Sequence, residues 1–116
     1  MADSILKTKS VAFAVRIVKL HKYLREKKDF ALSSQIIRCG TSIGANIHEA
    51  YFGESKKDFI HKLHIALKEA GETEFWLKVL VQSGYIEPQN SKTIVDECVE
   101  LIKLLSSTIK TAKSKK

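Results

Sequence analysis

Apolar positions recur along most of the chain at intervals of three, four and seven residues, the period of an α-helix. From about Ser4 to Lys27, the residues Leu6, Phe13, Ile17, Leu20 and Leu24 fall on one stripe. Lys27-Lys28-Asp29-Phe30 interrupts it. A second helix is expected from Ser33 or Ser34, either of which can cap unpaired backbone N–H groups. Ile36, Ile43 and Ile47 give its inner side. Tyr51-Phe52-Gly53-Glu54 is the next break. Ser55 followed by Lys56-Lys57-Asp58 is an S-x-x-D start signal. That third helix should reach about Ser83, with Phe59, Leu63, Ala66, Ala70, Leu77 and Leu80 facing inward. Gly84 suits the left-handed residue after a helix, with Tyr85 and Ile86 folding back behind it. Pro88 suits the first turn of a fourth helix. Ile94, Cys98, Leu101, Leu105 and Ile109 give this last stripe, widened by Val95, Val99 and Ile102. Long helices with short connections must run antiparallel to their neighbours. The expectation is an all-α, up-and-down antiparallel four-helix bundle, one domain over 1–116, roughly 35–40 Å long at 1.5 Å per residue. A loose basic tail is expected from about 111 to 116.

Two details depart from a plain bundle pattern. Val11, Val15 and Val18 lie nearly opposite the inward stripe of the first helix, at 100° per residue. A bundle helix needs one apolar face, so the second asks for a further partner, and a second copy of the chain is the simplest. Lys7, Lys19, Lys22 and Arg25 border it and can lay their aliphatic stems around such a contact. In the second helix, Gly40 and Gly44 stand one turn apart. Each costs about 1 kcal/mol against alanine, so either a neighbouring element packs very close there or the helix breaks near Gly44.

The 116 residues include 44% hydrophobic residues, 5 glycines and 1 proline, enough apolar material and few enough breakers for one helical core. Cys39 and Cys98 form no C-x-x-C pair and lie in apolar patterns, which fits buried thiols in a reducing, cytoplasmic setting. Arg16 and Lys19 break the N-terminal apolar run, so it reads neither as a signal peptide nor as a membrane span. The net charge is +7, from 20 basic and 13 acidic residues. Residues 1–28 hold eight basic and two acidic groups, a net of +6. Such one-ended charge points to an anionic partner, nucleic acid first, and equally fits a solubilising surface.

Signals for catalysis are weak. Asp58, His61 and His64 are spaced by threes, but the first and last point about 120° apart on a helix and do not converge on a metal. No glutamate stands three residues before a histidine, as di-iron bundles require. Phosphate loops, nucleophile elbows and zinc-protease motifs are absent. No metal, no cofactor and no enzymatic activity is expected. Ser42, Asn46 and Glu49 share a side of the second helix, and Glu72 lies on the third. An Asn46–Glu72 contact across the two helices is one expectation; such polar pairs fix register.

The stretch SQIIRCGTSIGANIHEA, Ser34 to Ala50, resembles the signature of the four-helix-bundle family named after 23S rRNA intervening sequences, also called S23-like. Gln35, Arg38, Ser42, Ile43, Ala45, Asn46, Ile47 and Glu49 occupy its places. Phe59, Leu63, Ala66 and Glu72 match its second block, and Gly84-Tyr85-Ile86 also fits. Gly44 stands where that family often has proline, Ala50 where glycine is frequent, and Glu69 where serine is common. The resemblance implies a left-handed bundle assembled as a ring-like homopentamer with a basic surface. Related accessory proteins of diversity-generating retroelements are thought to bind nucleic acid and a reverse transcriptase.

Two functional expectations follow. One is a nucleic-acid-binding accessory protein presenting Lys7, Lys9, Arg16, Lys19, Lys22, Arg25, Lys27 and Lys28 to RNA or DNA. The other is a protein-interaction scaffold whose charge serves solubility or an acidic protein partner. Both include homo-oligomerisation through Val11, Val15 and Val18.

Overall fold

A computed structural model describes residues 2–115, without the side chains of 2–4 and 90–92. Four helices follow in order: α1 Ala2–Glu26, α2 Phe30–Ala50, α3 Lys56–Gln82 and α4 Pro88–Ser114. Each packs on the next, and α1 closes against α4. This is the expected up-and-down antiparallel four-helix bundle. Its longest dimension is 49 Å, more than the expected length. The 27-residue α3 and α4 account for about 40 Å of it.

The core follows the periodic positions. Leu6, Phe13, Ile17 and Leu24 of α1 are buried with Ile36, Ile43 and Ile47 of α2. Leu63, Ala66, Ala70, Leu77 and Leu80 of α3 join Ile94, Cys98, Leu101, Leu105 and Ile109 of α4. Phe59 packs at the edge, its ring edge-on to Tyr51 at 5.2 Å. The helix α2 runs unbroken through both glycines. A Cβ on Gly40 would lie 2.7 Å from Ile17 Cγ2, and one on Gly44 would touch Ser10 at 3.4 Å. The close-packing expectation holds, and the expected alternative of a break at Gly44 does not. Cys39 and Cys98 are buried and unlinked. Burial pushes the Cys98 thiol up to about 12 and raises that of Cys39 as well, so neither carries thiolate reactivity near neutrality.

Two expectations are corrected. The expected basic tail is helical through Ser114, because Ile109 is buried and Ala112 is partly covered, which extends the packed face. Lys116 lies outside the described residues. The start of α2 lies at Phe30 and its cap is Asp29, not Ser33 or Ser34. One Asp29 oxygen accepts from Leu32 N–H at 3.1 Å and the other from the Tyr85 hydroxyl at 2.5 Å. Ser33 is buried instead, its hydroxyl donating to Phe30 O.

That clasp ties the α1–α2 connection to the α3–α4 connection at one end of the bundle. The hydrogen bond from Tyr85, then that from Leu32, hold the Asp29 carboxyl below its ordinary value, and the same contact raises the Tyr85 phenol. The stabilisation from Asp29 is therefore present above pH ~4 and fades as pH falls through the lowered folded value. That from Tyr85 is present below pH ~10 and fades as pH rises through the raised folded value. Asp29→Ala should lower the urea midpoint at pH 7, and its gap to the parent should close in acid. A gap that stays constant down to pH 2 would show that the carboxylate has no such role.

Candidate nucleic-acid interface

The eight basic residues do not form one surface. Lys9 pairs with Glu100 at 3.1 Å, and Arg16 pairs with Glu97 and donates to Thr93 at 3.1 Å. Both bridge α1 to α4 and are largely neutralised there. Lys7 lies towards the opposite end, its Nζ 4.4 Å from the centre of the Tyr51 ring. Lys19, Lys22, Arg25, Lys27 and Lys28 remain, all exposed and without a carboxylate partner among the described residues. They occupy the last turns of α1 and the connection after it. The acids at this end are Glu26, Glu87 and the already engaged Asp29.

Two aromatic rings stand among these cations. Tyr23 is 40% exposed and Phe30 53% exposed. Lys27 Nζ lies 5.5 Å from the Tyr23 ring centre, and the Arg25 guanidinium 5.2 Å from that of Phe30. An open groove of about 590 Å³ runs beside Tyr23 along the α1–α4 seam. Leu20, Tyr23, Tyr85 and Ile86 give it apolar walls, with Arg16, Lys19 and Glu87 in its lining. The aromatic component was not read from the sequence; its signal was the placement of Tyr23 and Phe30 within the basic run KYLREKKDF.

The backbone here is also unusual. Lys28 has φ 62°, in the left-handed region. Its N–H bonds to Arg25 O at 2.9 Å and the Asp29 N–H to Leu24 O at 3.0 Å, the paired bonds of a Schellman turn. The end of α3, at the same end of the bundle, makes the same turn with Gly84 at φ 88°. Glycine takes this conformation with no side-chain clash, whereas lysine pays roughly 1–2 kcal/mol. One turn thus holds the residue its geometry favours, and the other holds a cation.

The signature residues lie elsewhere, along the α2–α3 seam. Arg38 donates to Gln35 Oε1 at 3.2 Å, to Glu69 at 3.5 Å and to Glu72. Glu72 also accepts from Trp76 Nε1 at 3.2 Å. The Glu72 hydrogen bond holds the Arg38 guanidinium above its ordinary value. Asn46 does not meet Glu72. Its Nδ2 donates to Ser42 O at 2.9 Å, within α2. The reason is local: a side-chain amide reaches the carbonyl one turn back at no cost in register, and Arg38 already occupies Glu72. Ser42 donates to Arg38 O at 2.7 Å, and Glu49 accepts from Lys62 at 3.2 Å. The contacts of Arg38 with Glu69 and Glu72 and of Lys62 with Glu49 pin α2 to α3.

The valines stand where the pattern placed them. Val11 and Val15 are 50% and 49% exposed, and Val18 is partly covered. With Ala14, Ala45 and His48 they line an open, almost wholly apolar groove of about 300 Å³ between α1 and α2. His48 Nε2 is buried with no hydrogen-bond partner among the described residues. No group of His, Cys, Asp or Glu able to hold a metal occurs among the described residues. Among the described residues, no helix is long and apolar enough to cross a membrane.

The profile of the 23S rRNA-intervening sequence proteins matches residues 2–107. The chain belongs to that family. It is also similar to a crystal structure from Bacteroides thetaiotaomicron VPI-5482, a protein of unknown function from the S23 ribosomal protein family. Identity is 53% over 95% of this chain and 99% of that one, with a TM-score of 0.92. No curated protein matches. Within the intervening-sequence family region fall both the Arg38–Glu72 seam and the basic end.

Proposed function

We propose that this intervening-sequence family member is a non-enzymatic, nucleic-acid-binding accessory protein that works as a homo-oligomer in the cytoplasm. The carrying observation is the end of α1 and the connection after it, where five cations have no carboxylate partner among the described residues. The lysine held left-handed at 28 adds to it: strain kept where glycine would relieve it is a recurrent mark of functional positions. A binding site of this composition engages phosphates and reads little sequence. The valine groove supports self-association, and the family resemblance supports a pentamer. A further protein partner, such as a reverse transcriptase, is compatible with the same assembly.

Salt dependence is the test. Five phosphate contacts predict that log affinity falls with log salt at a slope of about −4. Reversing Lys19, Lys22 and Arg25 to glutamate together should weaken binding to any RNA or DNA alike and flatten that slope by about 2–3. A flat response, or no binding near physiological salt, would instead favour a scaffold that uses only protein contacts.

A further inference from the structure

We infer that the basic end takes single-stranded nucleic acid, with unpaired bases stacking on Tyr23 and Phe30. This rests on the nucleic-acid reading above and narrows its ligand class. Phosphate binding alone needs no aromatic ring at the surface, yet two stand within the cation cluster, 40% and 53% exposed. Each ring is approached by one flexible cation from its own neighbourhood, Lys27 over Tyr23 and Arg25 over Phe30. An exposed cation–π contact is weak and a base–aromatic stack is stronger. A strand arriving here can exchange one for the other. Its base replaces the cation on the ring face, and the released lysine or arginine moves to the adjoining phosphate.

A duplex cannot make this exchange. Its bases are stacked and paired, and offering a face means extruding one. The groove beside Tyr23 strengthens the distinction. Its apolar walls, Leu20, Tyr85 and Ile86, suit the face of a base, and Glu87 repels a phosphate. Arg16 and Lys19 suit the backbone. Arg16 is tied to Glu97, so Lys19 is the unengaged cation. A nucleotide is therefore seated base-inward, with its phosphate towards Lys19 and Lys22. The clasp between Tyr85 and Asp29 fixes this end before any ligand arrives, since its 2.5 Å bond joins the two connections.

The experiment compares a labelled single-stranded RNA of about twenty nucleotides with the same sequence as a duplex, by fluorescence anisotropy on the full chain. Single strands should bind on the order of ten-fold more tightly. Tyr23→Ala and Phe30→Ala should each remove a comparable factor for the single strand and leave duplex binding unchanged. Tyr23→Phe, which keeps the ring, should retain it. Both residues are exposed, so circular dichroism should show unaltered helicity. Equal binding of both forms with a steep salt slope would leave the phosphate-binding reading standing and overturn stacking. Alanine variants that weaken both forms alike would do the same. Binding of neither form would remove both readings.

Discussion

Gly40→Ala should destabilise the bundle, while the identical change at Gly71 should stabilise it. At Gly40 the added methyl would stand 2.7, 2.8 and 3.0 Å from three side-chain atoms of Ile17. Ile17 is wholly buried, and its branched Cβ leaves it one strongly preferred rotamer in a helix. It cannot swing aside, so α1 and α2 must separate locally. Overpacking of this kind costs about 1–3 kcal/mol. Relief of the glycine penalty returns up to about 1 kcal/mol, so the net cost is up to about 2 kcal/mol. At this chain length each kcal/mol lowers Tm by about 5 °C. Gly71 is exposed in α3 and a Cβ there meets nothing within 4 Å. Only the propensity gain of about 1 kcal/mol remains, and Tm should rise by a few degrees. Thermal unfolding of both variants decides the matter. A rise at Gly40 would mean that α1 and α2 approach less closely than the 2.7 Å to Ile17 Cγ2 implies.

The contrast shows what the sequence could and could not convey. Two glycines one turn apart narrowed the choice to a close approach or a break near Gly44, and the unbroken α2 packed on Ile17 and Ser10 is the first of these. Helix ends governed by local chemistry were equally legible: Ser55 caps α3 through the Asp58 N–H at 3.1 Å, Gly84 ends α3, and Pro88 opens α4. The start of α2 was not, because what favours Asp29 over Ser33 is the hydroxyl of Tyr85, 56 residues away. The same holds for the charges. Counting gave the basic surplus of the first 28 residues, but only the packing of α4 beside α1 removes Lys9 and Arg16 from it. The motif residues show a third case. Spacing put Ser42, Asn46 and Glu49 on one side of α2, yet Asn46 turns back to Ser42 O while Arg38, with its longer side chain, holds Glu72. Periodicity therefore reports which face a residue occupies. Which group it meets there is decided by side-chain reach and by helices distant in sequence.

Val15→Glu is expected to reduce the proposed assembly to a single chain of 13.1 kDa without loss of helicity. Light scattering of the parent should give a multiple of that mass. The residue is half exposed and takes no part in the buried core, so the bundle itself tolerates a polar group there. An interface does not. It would place a carboxylate in a groove whose lining is almost all apolar, and an unpaired buried charge costs several kcal/mol. About 4 kcal/mol raises a dissociation constant roughly a thousand-fold. Every copy in a symmetric assembly carries the change, so all its interfaces weaken together. Lys19 and Lys22 are exposed along the same helix and could soften the effect of a carboxylate. Val15→Lys removes that escape, since it adds a like charge, and should dissociate the assembly at least as completely. A parent already at 13.1 kDa, or a variant whose mass matches an oligomeric parent, would leave the valine face without the role proposed for it.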